Sequence, residues 1–235
     1  SNEIKEDQTN ILVGIKGSDG YVDKHVSKNY TLKTSGLYDK LDSYLLASDN
    51  GTITVLGKDT DAAFYGITSL YHIFNQMDSY SIRNFVMEDY ADVASRGFIE
   101  GYYGNPWSTE DRSELMKWGG YYKLNSYFYA PKDDPKHNSK WRELYSDEEI
   151  ETKIKPLAQA GNESKCRFVF ALHPYMNNAI RYNSEENYQA DLKVMQAKFA
   201  QVIEAGVRQI AILADDAGNV GGDNYIKTCL LYTSP

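Results

Sequence analysis

Gln209-Ile-Ala-Ile-Leu-Ala-Asp-Asp216 is an almost unbroken apolar run closed by two carboxylates. The run is too short for a soluble helix, carries β-branched residues and follows a helix-period segment, so it reads as a fully buried parallel strand. In barrels and open sheets of alternating strands and helices, the C-terminal ends of the strands carry the chemistry. Two carboxylates held together there repel each other, and one tends to keep a proton that the other loses. Such a split makes an acid/base pair. An Asp-Asp pair also suits an ordinary strand-to-loop turn, so the decision lies with the rest of the chain.

Upstream of this run, the pattern from Arg96 onward is strand, loop, helix, repeated. Gly97–Glu100 is the first expected strand. Ser108 with Asp111 makes a capping-box-like start to a helix running through Leu115 and Trp118. Leu124–Tyr129 is the second strand. Ser146 and Glu149 form another capping box, opening a helix striped by Ile150, Ile154 and Leu157, with Pro156 expected to bend it near its end. Arg167–Leu172 is the third strand, and Leu192, Met195, Phe199 and Val202 stripe the helix before the Asp-Asp strand. Four successive β-α units imply a parallel sheet with right-handed crossovers. The economical reading is the first half of a (β/α)8 barrel. A complete barrel needs about 250 residues, so the chain is expected to stop mid-domain.

The first ninety or so residues read as a separate small α+β unit. Strands are expected at Asn10–Ile15, Tyr44–Ala47 and Thr52–Leu56, the last two joined by a Ser-Asp-Asn-Gly turn with hairpin chemistry. Asp59-Thr-Asp61 can cap a helix whose apolar positions Ala63, Ile67, Leu70, Phe74 and Met77 step by four and three. His72 in that helix is read as structural. Ile82–Met87 is a further candidate strand, leading through Glu88–Ala94 into the second domain. The expected division is residues 1–92, residues 93–228 and a terminal stretch 229–235. The last of these, Cys229-Leu-Leu-Tyr-Thr-Ser-Pro235, resembles the translated read-through of a transposase sequencing adapter and is set apart from fold reasoning.

Composition narrows the function. A formal charge of −8 and a pI near 5.1 argue against a nucleic-acid binder. No apolar run is long enough to cross a membrane. Cys166 and Cys229 make neither a disulfide framework nor a metal site, and the start carries no signal-peptide pattern. Twenty tyrosines against eight phenylalanines suit either a surface that stacks on sugar rings or a tyrosine-rich core.

The strand ends are polar in a way that suits a sugar. The first runs into Glu100-Gly-Tyr-Tyr-Gly-Asn-Pro-Trp107, where Gly101 would let a ligand approach the backbone and aromatic rings could wall a pocket. Core packing is the expected fate of at least two of Tyr102, Tyr103 and Trp107. The second strand ends in Lys132-Asp133-Asp134, where a lysine can donate to a sugar hydroxyl or offset nearby carboxylates. The third ends in His173-Pro174-Tyr175, with Asn177 and Asn178 following; His173 is expected to be structural.

Arg96-Gly-Phe-Ile-Glu-Gly-Tyr-Tyr-Gly-Asn-Pro-Trp107, Tyr129-Ala-Pro-Lys-Asp-Asp-Pro135 with Trp141-Arg-Glu143, and Leu213-Ala-Asp-Asp216 together resemble glycoside hydrolase family 84. Gly57-Lys-Asp-Thr-Asp-Ala-Ala-Phe-Tyr-Gly66 is similar to the end of the small domain that precedes the barrel in bacterial members. The resemblance implies a β-N-acetylglucosaminidase that needs no cofactor and acts on a glycan or glycoprotein. It implies a secreted or cell-surface bacterial enzyme, with the remaining half-barrel and carbohydrate-binding modules following. It also makes sense of adjacent aspartates, which are poorly placed to flank a scissile bond as ordinary paired carboxylates do. They suit a substrate whose 2-acetamido oxygen attacks its own anomeric carbon. Asp215 is then implied to hold the acetamido group and Asp216 to be the acid/base. Gly101, through its backbone, and Lys132 are implied to contact sugar hydroxyls, with Tyr103 lining the pocket. The His-Pro-Tyr end of the third strand departs from the small turn of better-known members and leaves the subsite shape open. Two other readings remain: a non-catalytic glycan-binding module, and a metal-dependent hydrolase with Asp215, Asp216 and His173 as ligands.

Overall fold

The computed structural model describes residues 4–5, 7–101, 103–176, 178–215, 217–218 and 220–233. Tyr102, Asn177 and Asp216, all singled out above, lie outside the described residues, as do Ser234 and Pro235. The chain divides into one unit of residues 1–96 with 121–123, and a second of residues 97–120 and 124–235.

The first unit is a four-stranded mixed sheet: β1 (Asn10–Ile15), β2 (Tyr44–Asp49), β3 (Thr52–Gly57) and β4 (Phe85–Asp89), in the order β1-β3-β2-β4. β2 and β3 form the expected hairpin, and β1 pairs with β3 in parallel. Two helices belong to it, α1 (Tyr21–Asn29) and α2 (Thr60–Asn75). Helix α1 is invisible to apolar periodicity because it offers the core little more than Val22 and Val26. Its Asp23 instead ties the preceding turn, accepting from the Gly17 N–H at 2.8 Å and from Lys16 Nζ at 3.1 Å.

Helix α2 starts where expected, Asp59 accepting from the Ala62 N–H at 2.9 Å, and buries Ala63 and Leu70 of the expected stripe, but its buried face is shifted from the rest of it. Ile67 and Phe74 are exposed, whereas Ala62, Tyr65, Gly66 and Ser69 are buried. The reason is close approach to the sheet. A Cβ on Gly66 would come within 2.5 Å of Val55, and one on Gly57 within 2.2 Å of the Ala63 backbone. Small residues mark this contact, so a search for a large-apolar stripe misplaces it. Strand β4 runs through Asp89 rather than stopping at Met87, because the Asp89 carboxylate accepts from Tyr44 Oη at 2.6 Å and from Lys123 Nζ at 2.8 Å.

The second unit carries a parallel sheet in sequence order: β5 (Gly97–Glu100), β6 (Ser126–Tyr129), β7 (Arg167–Leu172) and β8 (Gln209–Ile212). The crossovers contain α3 (Thr109–Tyr121), α4 (Asp147–Glu149, Ile150–Ile154 and Lys155–Ser164 in succession) and α5 (Glu185–Glu204); α6 (Gly222–Thr233) follows β8. Within α4, Ile150–Ile154 is a wide π turn, Lys155 N–H donating to the Ile150 carbonyl. Pro156, which has no N–H and whose ring collides with the carbonyl four residues back, follows this turn directly. The accommodation lies mid-helix, not near the end.

One core unites the sheet and its helices. Ile154, Leu157, Phe168, Phe170, Leu192, Met195, Phe199 and Val202 are buried together with Tyr127, Tyr129, Tyr145 and Tyr188. For these four tyrosines, core packing accounts for the aromatic skew. Helix α3 buries Arg112, Met116, Gly119 and Gly120, leaving Trp118 exposed. The reason is electrostatic: the Arg112 guanidinium grips the Glu100 carboxylate from β5, with Nε–Oε2 at 2.9 Å and Nη2–Oε1 at 2.6 Å, and Tyr127 Oη donates to the same carboxylate.

Candidate active site

The carboxyl ends of β5, β6 and β8 place the residues of interest. β5 ends at Glu100, so Gly101 opens an irregular loop; it is exposed, and a Cβ added there would meet nothing within 4 Å. Tyr103 is 77% exposed and Trp107 39% exposed. The expectation that at least two of the three aromatics pack in the core is corrected for these two. They sit on a loop beyond the last strand residue, where neither helix nor strand aims a side chain inward.

β6 delivers Lys132 and β8 delivers Asp215. The ladder between β7 and β8 continues one bond past Ile212, Leu213 N–H donating to the Leu172 carbonyl at 2.8 Å. Two residues later, Asp215 Oδ2 lies 2.9 Å from Lys132 Nζ. The Lys132 side chain is 13% exposed and that of Asp215 56%. A pair this open is worth no more than about 1 kcal/mol. The contact therefore cannot itself organise two loops; the loops must arrive already shaped. Asp216 lies outside the described residues. The structure thus brings Lys132 and Asp215 together across two strand ends, with Gly101 and Tyr103 on the loop after β5.

The third strand end is occupied differently. His173 is fully buried, its ring centroid 6.4 Å from that of buried His137. Burial, the larger influence, pushes His137 down to about 4 despite its bond to the Ala171 carbonyl. Both are interior groups.

Behind the site, two buried carboxylates hold the loops: Asp134, the last acid of the Lys-Asp-Asp strand end, and Asp191, which no motif announces. Asp134 is taken up below. Asp191, on α5, accepts from Arg142 Nη2 at 2.6 Å and from Arg181 Nη2 at 2.8 Å. Arg142 also donates to the carbonyls of Asn178 and Ala179, and Trp141 Nε1 to that of Asn178. The loops after β6 and β7 are thereby stitched to one helix. Burial pushes the Asp191 carboxyl upward, but hydrogen bonds from Arg142 and Arg181 outweigh it and hold the group far below the usual range. A carboxyl depressed in the folded state stabilises above its unfolded value, about 3.9, and loses that contribution as pH falls toward the folded one. In the complete gene product, Asp191→Asn should lower the melting temperature by a constant margin from pH 7 to 5. The margin should shrink below about pH 4. Thermal melts across this range check it, and a margin that persists to pH 2 would contradict it.

A parallel sheet with polar residues at its carboxyl strand ends is the layout of an α/β enzyme. Residues 96–225, more than half of the chain, match the family model of the β-N-acetylglucosaminidases, and the chain belongs to that family. The protein O-GlcNAcases of Rattus norvegicus and Mus musculus are each 38% identical over 120 residues, 51% of this chain and 12% of theirs. The solved structure of CpGH84D is 47% identical with a TM-score of 0.89, over 97% of this chain and 38% of that one. That of CpGH84B is 34% identical with a TM-score of 0.76, over 88% and 35%. The resemblance to glycoside hydrolase family 84 holds. The chain spans 12% of the length of these curated relatives and little more than a third of these solved ones.

Proposed function

We propose that the chain is part of a retaining glycoside hydrolase that removes terminal β-linked N-acetylglucosamine by substrate-assisted catalysis. The observation that carries the reading is the juxtaposition of Lys132 with Asp215 beyond the carboxyl ends of β6 and β8, in a chain of this family. Asp215 accepts the acetamido N–H and turns the acetamido oxygen onto the anomeric carbon. As the C–O bond to the leaving group breaks, that oxygen forms the oxazoline, and the negative charge of Asp215 stabilises the cation that develops. Asp216 protonates the departing oxygen, then takes a proton from the water that reopens the ring. Attack from within and then from water gives net retention. Lys132 lies within hydrogen-bond reach of Asp215 and can donate to a sugar hydroxyl; Gly101 and Tyr103 bound the sugar.

In this reading, β5 to β8 are the first four strands of a (β/α)8 barrel. Support comes from Ile99, 62% exposed on β5, which an inward barrel face would cover. Residues 1–92 form the accompanying small domain, and residues 229–235 are foreign to it. The parent is a secreted or cell-surface bacterial protein with further glycan-binding modules. The test is the complete gene product on paired 4-nitrophenyl glycosides. It should release nitrophenol from the 2-acetamido β-glucoside far faster than from the plain β-glucoside, whereas residues 1–228 alone should turn over neither. Comparable turnover of the pair would overturn substrate assistance. No turnover of either, with binding retained, would favour a glycan-binding module.

A further inference from the structure

Asp134 stands two residues after Lys132 yet points away from the sugar side, into the layer between sheet and helices. It is 6% exposed. Four donors converge on it: Tyr129 Oη at 2.8 Å, Tyr145 Oη at 2.8 Å, Lys153 Nζ at 3.0 Å and the Lys136 N–H at 2.9 Å. They come from the last residue of β6, the loop beyond it and helix α4. Burial pushes this carboxyl upward, but the charge of Lys153 and the bonds from Lys153 and both tyrosines hold it below the usual range, so it is anionic. A charge-assisted cluster of this kind is stiff, since each donor would be left buried and unpaired if the carboxylate moved.

The chain between the clamp and the strand is short and restricted. Pro131 and Pro135 bracket Lys132, Asp133 and Asp134, and each proline fixes its own φ and narrows its predecessor. The Asp134 N–H donates to the Pro131 carbonyl at 3.2 Å, closing the turn on itself. Tyr129 at one end and Asp134 at the other are bonded to each other. Lys132 sits between two fixed points, and its open ion pair with Asp215 is too weak to have placed it.

We propose that Asp134 is a positioning residue: its buried carboxylate fixes the loop after β6 so that Lys132 meets Asp215. The proposal rests on Asp215 and Lys132 belonging to the reacting site, as argued above. It assigns Asp134 no contact with the sugar.

A double-mutant cycle in the complete gene product tests it, with kcat/KM on the 2-acetamido β-glucoside as the readout. Asp134→Asn keeps the size of the side chain but loses the charge, and Tyr145→Phe removes a single donor and serves if the first variant does not fold. Misplacing a reacting group by about 1 Å can cost on the order of 10²-fold, so Asp134→Asn should lose about 10–100-fold and Tyr145→Phe less. In a Lys132→Met background, neither should cause further loss, because the group they position is gone. Melting temperatures should fall by the same amount in both backgrounds. Losses of kcat/KM that add in the double variants would overturn the proposal and leave Asp134 a structural residue, as would no loss in either single variant. Wild-type turnover that ignores the acetamido group would instead sink the underlying functional reading, and is read without any variant.

Discussion

Replacing Asp216 by asparagine should slow hydrolysis of glycosides with poor leaving groups by on the order of 10²–10⁴-fold, the usual contribution of general acid catalysis. Glycosides of acidic phenols should lose far less, because a leaving oxygen that carries its own charge needs no proton. Asp215→Asn should behave differently. In the proposed mechanism its carboxylate orients the acetamido group and faces the positive charge that develops there, whatever departs, so both kinds of substrate should suffer alike. Lys132 Nζ lies 2.9 Å from Asp215 Oδ2. A cation there favours a carboxylate that remains ionised throughout the cycle. Plots of log(kcat/KM) against leaving-group pKa for both variants check the assignment. Parallel plots would mean that the two roles are wrongly divided.

The second large effect is on stability. Arg112 and Glu100 have side chains 5% and 0% exposed. Removing one partner of such a pair strands the other charge in the core and costs about 3–5 kcal/mol, whereas replacing both with apolar groups can be nearly neutral. Glu100→Leu and Arg112→Leu in the complete gene product should each be severely destabilised, and the double variant should recover much of the loss. Tyr127 Oη, which donates to Glu100, keeps the recovery short of complete. Chemical denaturation of the three variants measures this. A double variant as unstable as the sum of the singles would contradict the pairing argument.

The strands were the legible part of the fold. Arg167–Leu172 and the 44–57 hairpin can be read from apolar runs and turn chemistry, and α5 from Leu192, Met195, Phe199 and Val202; the Asp-Asp strand is parallel as expected, but it is only half-buried, with Gln209 exposed, rather than fully buried. Elements that pack through small or charged groups were less legible. Helix α2 meets its sheet at Gly66, and α3 turns Arg112 inward where Trp118 has the larger apolar surface. Neither choice leaves a hydrophobic period to find. Lys132 and Asp215 could be nominated because they follow strands, but their meeting depends on two loops from separate strands. Asp134 was visible within the Lys-Asp-Asp strand end but not its inward clamp, and Asp191 was missed altogether. An aspartate in a polar loop or on a helix looks solvated until its tyrosine and arginine partners, as far as 49 residues away for Arg142 and Asp191, are assembled around it.

The claim that matters most is that the nucleophile belongs to the substrate. It is tested most directly by kcat/KM for 4-nitrophenyl 2-acylamido-β-glucosides in which the acyl methyl carries zero, one, two or three fluorines. Each fluorine withdraws electrons and weakens the carbonyl oxygen as a nucleophile while leaving the leaving group unchanged. With an enzyme-borne nucleophile, that oxygen takes no part in bond formation. The account predicts a steep, monotonic fall in rate across the series; a flat series would contradict it.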